Sequence, residues 1–448
     1  MTRLRVVHGP QLADLPQLRD CGEQSKHEMR VVASVLPFKV NQFVMDELID
    51  WTAVPDDPIF RLTFPAREML PAYIFDAVSP LVLAGATRSE IASVVGGLRR
   101  DLNPHPSGQL THNVPVFDRL AQTGMQHKYR ETLLVFPSQG QTCHSYCGYC
   151  FRWAQFVGDS DLKFSCRDPR QMTEHLRRHP EISDVLLTGG DPLVMSTVVL
   201  RRWVEPLLAR DLDHVSTIRL GTKALAYWPH RITDDADGPD LLALVRQCVD
   251  AGRTVAVMMH VSHPRELENE RTRRAVALLR SAGATLRAQA PVVRHVNDSA
   301  PVWARMWVSM VRLGIAPYYM FVERDTGASA YFEVPLARAL AIYADAQRQV
   351  SGLARTARGP VMSATPGKIV VDGEATVAGQ RVFAMRLLQA RDPDLVGRVF
   401  FAHHSDTAVW IDDLRPAMST HWPWDPQQPV VGHQQHSPAF AASRGAPA

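Results

Sequence analysis

The stretch Thr132-Leu133-Leu134-Val135-Phe136, then Pro137 to Thr142, then Cys143-His144-Ser145-Tyr146-Cys147-Gly148-Tyr149-Cys150 decides how the chain reads. A short apolar run ended by a proline reads as a buried strand, and the loop leaving it carries three cysteines within eight residues. Outward from this unit the pattern repeats. Strands are predicted at 132–136, 184–188, 216–220, 254–260, 285–293 and 316–322, with amphipathic helices at 170–178, 198–208, 240–251, 271–282, 302–313 and 336–349. Gly252, Gly283 and Gly314 stand where helices should stop. Alternating β and α elements imply a parallel sheet with right-handed crossovers, either open or closed into a barrel. Both arrangements collect chemistry at the C-terminal ends of the strands. The polar clusters at 143–150, 189–191, 222–223, 260–263, 294–298 and 323–325 all follow strand ends and so converge on one face.

Around this core the chain divides into a mostly helical extension (1–125), the βα region (126–350), a small strand-containing segment (351–426) and a Pro/Gly/Ala-rich tail (427–448) expected to be disordered. The 448 residues leave room for a barrel of about 250 residues with additions. With 46% hydrophobic and 21% charged residues and a net charge of +3, nothing points to a nucleic-acid partner. No apolar run reaches the roughly 20 residues of a membrane span, and residues 1–10 lack a secretory apolar stretch. A cytoplasmic location is expected.

Six cysteines are too few for a disulfide scaffold in a chain of this length. The CxxxCxxC spacing lets Cys143, Cys147 and Cys150 bind three irons of a [4Fe–4S] cubane and leaves the fourth iron open. That iron can chelate the amino and carboxylate groups of S-adenosylmethionine (SAM), and an electron from the cluster then yields a 5′-deoxyadenosyl radical. A structural zinc site is the competing reading. It needs a fourth ligand, for which His144 is badly placed next to Cys143. Chance clustering of thiols is the plainest alternative, and Cys21, Cys166 and Cys248 read as ordinary thiols. One βα unit later, Gly189-Gly190-Asp191-Pro192 leaves a buried strand; on its own a turn, beside the cysteine loop it reads as the site for the methionyl end of SAM.

With these motifs, the chain resembles the lysine 2,3-aminomutase family of radical SAM enzymes over residues 35–370. The likeness is carried by Phe38-Lys39-Val40-Asn41, Asp57-Pro58-Ile59-Phe60, His127-Lys128-Tyr129, Cys150-Phe151-Arg152, Leu187 to Leu193, Arg219 to Thr222, Pro229 to Thr233, Val293 to Asp298 and Pro317-Tyr318-Tyr319. The resemblance implies a partial (β/α)6 barrel that binds SAM and pyridoxal 5′-phosphate (PLP). It further implies an isomerase, in which PLP forms an aldimine with an amino-acid substrate, the adenosyl radical takes the β-hydrogen, and nitrogen moves from C2 to C3. A small reductant such as flavodoxin or ferredoxin and a homo-oligomeric state are also implied.

Position by position, the resemblance makes Arg152 the partner of the substrate carboxylate and Lys128 a ligand of the PLP phosphate. The second basic residue expected four positions after Lys128 is Thr132, with Arg130 as a substitute. Gln289 resembles a cofactor contact, and Lys368, in Thr365-Pro366-Gly367-Lys368-Ile369, the PLP lysine. Lysine-using members place two aspartates on the distal ammonium; here Arg324 and Val361 stand at those positions, with Asp325 displaced by one. A cationic tail facing Arg324 is unfavourable in a dry site. The expected substrate is therefore an amino acid other than lysine, with an anionic or polar tail such as that of glutamate. The alternative is a PLP-independent radical SAM enzyme that abstracts hydrogen for epimerisation, dehydrogenation or elimination.

Overall fold

The computed structural model describes residues 4–103, 113–117, 120–158 and 163–425; the tail at 427–448 lies outside the described residues. One twelve-stranded sheet organises the chain, its strands side by side in chain order. They are β1 (Met125–Tyr129), β2 (Thr132–Val135), β3 (Asp184–Leu187), β4 (Thr217–Thr222), β5 (Thr254–His260) and β6 (Thr285–Val292), then β7 (Ile315–Val322), β8 (Arg358–Ser363), β9 (Gly367–Val377), β10 (Gln380–Ala390), β11 (Val399–His403) and β12 (Pro416–Ala417).

Strands β2 to β8 are parallel. β1 pairs antiparallel with β2, and β8 to β12 form an antiparallel meander at the other edge. The sheet is a partial barrel, and its edge strands β1 and β12 are not hydrogen-bonded to each other. The six strands predicted from periodicity are β2 to β7, and the predicted helices appear as Pro169–Arg178, Thr197–Val204, Gly238–Asp250, Glu270–Ser281, Ala300–Arg312 and Leu336–Arg348. A seventh parallel strand, β8, adds to the predicted six. Its sequence Arg358-Gly359-Pro360-Val361-Met362-Ser363 carries a Gly-Pro pair that reads as a chain breaker.

Residues Val255 through Met259 of β5 are all buried, the continuous apolar pattern of a strand covered on both faces. Outside the sheet the main core joins Leu187, Leu220 and Val257 to helix residues Leu176, Trp203, Leu244, Leu279 and Trp307. Each such side chain contributes about 1.5–3 kcal/mol by leaving water. A second core forms where the N-terminal extension meets the loops at the strands' C-terminal ends. There Phe38, Phe64 and Met69 pack with Tyr149, Trp153, Tyr227 and Phe332. The extension thus roofs the face that carries the cysteine loop. Among the described residues no helix is long and apolar enough to cross a membrane.

Candidate active site

The cysteine loop leaves β2 through the short turn Ser138–Gly140 and is held mainly by the N-terminal extension. Lys39 donates from Nζ to the Cys143 carbonyl (2.7 Å) and to Thr142 Oγ1 (3.2 Å). Its own carbonyl accepts from the Tyr146 N–H at 2.8 Å. Asn41 donates from its side chain to the carbonyls of His144 and Tyr227 at 3.3 and 2.9 Å, while its backbone N–H donates to Ser145 Oγ at 3.0 Å. Leu62 accepts from the Gly148 N–H at 2.7 Å. The Phe38-Lys39-Val40-Asn41 motif is therefore the clamp of the cysteine loop, a role the sequence alone did not assign it.

Burial raises all three thiol pKa values, and the cysteines raise one another: Cys147 and Cys150 act on Cys143, and Cys147 helps push Cys150 up to about 12. Three buried thiols that resist ionising on their own suit a cationic iron–sulfur core, which would hold them as thiolates.

The Gly189-Gly190 turn packs against the same loop. A Cβ on Gly190 would lie 2.2 Å from the Thr142 carbonyl oxygen, and the N–H groups of Gly190 and Asp191 both donate to the Gly140 carbonyl at 3.1 Å. Gly189 has φ of +142° and would meet the Gln141 side chain. Asp191, fully buried, accepts from Thr222 Oγ1 (2.7 and 2.8 Å) and from the N–H groups of Leu193 and Lys223 (2.9 and 2.8 Å). Its carboxylate is occupied in tying the turn to β4. The two glycines are the part of this motif that lies against the cysteine loop.

Under Cys147 lies a buried polar network that no contiguous motif announces. Lys223 donates from Nζ to Glu266 (2.9 and 3.1 Å) and to Ser262 Oγ (3.2 Å). Tyr149 Oη sits 2.7 Å from both His260 Nε2 and Ser262 Oγ, and Tyr227 Oη lies 3.5 Å from Cys147 Sγ. Glu266 is 0% exposed. Substituting Glu266→Gln would strand the Lys223 cation in this pocket, at a cost of ~3–5 kcal/mol. We expect a lower denaturant midpoint for that variant, measured on the cluster-loaded protein, with less effect from Ser262→Ala.

A chain of cations runs from the cysteines into the barrel. Arg152, buried, has its Cζ 4.2 Å above the Phe136 ring, donates to Gln141 Oε1 at 3.3 Å, and leaves Nε without a partner. Burial pushes its pKa down to about 10 even with Cys150 and Cys143 nearby to raise it. An orphaned guanidinium N–H in such a place fits an incoming carboxylate. Arg324 comes next; it donates to the Ser363 carbonyl at 2.6 Å, lies over Phe151, and has Asp325 beside it. Lys128 occupies a bulge of β1 and donates to Ser363 Oγ (3.3 Å) and the Ala364 carbonyl (3.2 Å). Its pKa is held well below the usual lysine range by burial and by Arg324, Lys368 and Arg391.

Lys368, second residue of β9, donates to Gln389 Oε1 at 2.7 Å and lies over the rings of Tyr319 (4.7 Å) and Tyr129 (5.6 Å). Burial, then Arg219 and Arg358, push its pKa down to about 7. Gln289 is half-buried on β6, in register with Tyr319 and His260. Arg130 is turned to solvent, whereas Arg391, which sequence reading passed over, is the extra cation acting on Lys128. Lys128, Arg324, Lys368 and Arg391, with Tyr129 and Tyr319 beside Lys368 and Asp184 opposing part of the charge, make up a cationic chamber whose chemistry suits an anionic, phosphate-bearing aromatic ring.

No family model matches the chain. It is 31% identical over 403 residues, 90% of this chain and 94% of the relative, to a putative L-lysine 2,3-aminomutase of Aquifex aeolicus. The chain belongs to the lysine 2,3-aminomutase family of radical SAM enzymes. Similarity extends to the L-lysine 2,3-aminomutase of Acetoanaerobium sticklandii (28% over 229 residues, 51% of this chain and 52% of that one). It extends also to the glutamate 2,3-aminomutase of Clostridioides difficile (28% over 227 residues, 51% and 50%). Among solved structures, a radical SAM methyltransferase from Sphaerobacter thermophilus matches with TM-score 0.36, 13% identity and coverage of 63% and 92%, a likeness too slight to argue from. Membership of the family implies a [4Fe–4S] cluster, SAM and PLP as cofactors, and the cysteine pocket and the cationic chamber suit them.

Proposed function

We propose that this chain is a 2,3-aminomutase acting on an α-amino acid other than lysine, one with an anionic or polar tail of which glutamate is the simplest example. The observation that carries the reading is the charge of the chamber. Arg324 is a half-buried cation where lysine-using relatives are expected to offer an aspartate, and Val361, at the other such position, is 0% exposed and packed on Tyr319 and Val370. A distal ammonium would meet Arg324, with Lys128 and Arg391 close by and, among the described residues, Asp325 beside Arg324 to offset them.

SAM and the cluster supply a hydrogen-abstracting radical, fed by an electron from a donor such as flavodoxin or ferredoxin, and PLP supplies the π system across which nitrogen moves. The chain's own residues do the rest. Arg152 binds and orients the substrate carboxylate next to the cysteine pocket. Arg324 binds the distal group, Lys128 and Arg391 supply positive charge for a phosphate, and Lys368 is the amine that holds PLP. Tyr129 and Tyr319 wall off water, which would quench a radical.

The test is anaerobic turnover of the reconstituted enzyme, with SAM, PLP and reductant, on a panel of amino acids, with β-amino products read by mass spectrometry. Glutamate or another anionic or polar amino acid should be isomerised and lysine should not. Arg324→Asp should lower kcat/KM for an anionic substrate roughly 30-fold or more, the equivalent of ~2 kcal/mol or above. Preferred turnover of lysine by the natural chain, or 5′-deoxyadenosine formed with no isomerised product from any amino acid, would overturn the reading.

A further inference from the structure

Away from the cysteine face, on the outside of the barrel, three histidines meet. His127 stands on edge strand β1; His175 and His179 stand one helical turn apart at the end of the helix Pro169–Arg178. Among the described residues this is the one group of three or more His, Cys, Asp or Glu side chains whose ligand atoms all lie within 4.8 Å of one another. We propose that His127, His175 and His179 bind a divalent transition-metal ion of the zinc type, which ties β1 to the helix covering it.

The hydrogen bonds around the cluster set the tautomers that such a site needs. Nε2 of His127 lies 3.0 Å from the Arg130 carbonyl, which can only accept, so this nitrogen carries the proton and Nδ1 keeps a lone pair. Nδ1 of His179 lies 2.9 Å from the Glu181 carboxylate, which leaves the lone pair on Nε2. A carboxylate behind a ligating imidazole is the usual outer support of a metal-bound histidine. His175 is 2% exposed, with Nε2 3.3 Å from Nδ1 of His127 and its own Nδ1 without a partner. Two nitrogens on a tetrahedral zinc, each at about 2.0–2.1 Å, stand about 3.3–3.4 Å apart, so this pair already has the separation of shared ligands. Phe117 covers the site, its ring 5.4 Å from that of His175. The ligands are all nitrogen, which suits zinc, nickel or copper over magnesium or calcium. A water completes the set.

Its place in the fold gives the ion a task. His127 is followed by the β1 bulge that turns Lys128 and Tyr129 into the chamber. A metal at His127 fixes that edge strand, whose one strand neighbour among the described residues is β2. The inference stands independently of the aminomutase reading, because it is read out by metal content.

The experiment uses the cluster-loaded enzyme, equilibrated with one equivalent of Zn²⁺, dialysed against metal-free buffer and analysed for zinc and iron together. One zinc per chain is expected, with a first shell of nitrogen and oxygen and no sulfur in zinc X-ray absorption. His179→Gln, at a half-exposed helix end, should lower zinc affinity at least tenfold with iron content unchanged, and His127→Gln should do the same. No zinc retained by the natural chain would overturn the proposal. So would sulfur in the first shell, or equal zinc in the natural chain and in a folded His179→Gln variant.

Discussion

Lys368→Ala is expected to abolish amino-group migration and leave SAM cleavage in place. The two activities separate because the groups lie apart. Lys368 belongs to β9 in the C-terminal meander, among Tyr129, Tyr319 and Gln389, whereas the cysteines hang from the loop after β2 and are held by Lys39 and Asn41. Covalent capture of PLP requires the neutral amine, and an ordinary lysine near pKa 10.4 is almost wholly protonated at neutral pH. Burial with Arg219 and Arg358 brings Lys368 to about 7, so roughly half of it is free base there. With its pKa depressed, the reactive form of this amine grows as pH rises through about 7 and is lost below it. Attachment of PLP, trapped with borohydride and located by peptide mass spectrometry, should therefore appear on Lys368 and accelerate across that interval. Lys368→Arg keeps the charge but cannot form the bond and should behave like the alanine variant. A pyridoxyl label on another lysine, or isomerisation surviving in Lys368→Ala, would remove Lys368 from the role; no label at all on an intact, cluster-loaded enzyme would favour PLP-free radical chemistry.

Features written in contiguous residues were legible in the sequence, and those assembled across the sheet were not. Strands β2 to β7 declared themselves through apolar runs between amphipathic helices. β1 did not, since Met125-Gln126-His127-Lys128-Tyr129 has a polar centre and a bulge, and β8 hid behind Gly359-Pro360. The cysteine loop and the Gly-Gly turn were visible because each is a local spacing. What joins them is geometry: Gly190 is a glycine because the Thr142 backbone fills the place of its Cβ. Gly367, beside Lys368, is explained similarly, for a Cβ there would lie 2.0 Å from the Gln389 carbonyl oxygen. The Lys223–Glu266 pair, Arg391 with Lys128, and His127 with His175 join residues 43, 263 and 48 positions apart, and periodicity carries no trace of such meetings.

Gly190→Ala tests that geometry most severely. The added methyl would lie 2.2 Å from O and 2.4 Å from both C and N of Thr142, all backbone atoms of the residue that precedes Cys143. A side chain could rotate aside; here the 140–142 segment or the turn itself must move, which breaks the paired N–H donations of Gly190 and Asp191 to Gly140. Asp191 resists the turn's retreat, because its carboxylate is fixed to Thr222, Leu193 and Lys223, and Lys39 resists the loop's retreat through Thr142 and Cys143. The strain thus falls on the position of Cys143. A displacement of about 1 Å at a catalytic group can cost ~10²-fold in rate, so SAM cleavage should fall at least that far, with iron and sulfide below the natural chain's content. Gly373→Ala is the control, since its Cβ meets nothing within 4 Å and its backbone is not left-handed; it should be within about 0.5 kcal/mol of the natural chain and fully loaded with cluster. Should Gly190→Ala assemble its cluster and cleave SAM at the natural rate, the turn would be an ordinary connection, and the loop's hold on Cys143 would rest on Lys39 and Asn41 alone.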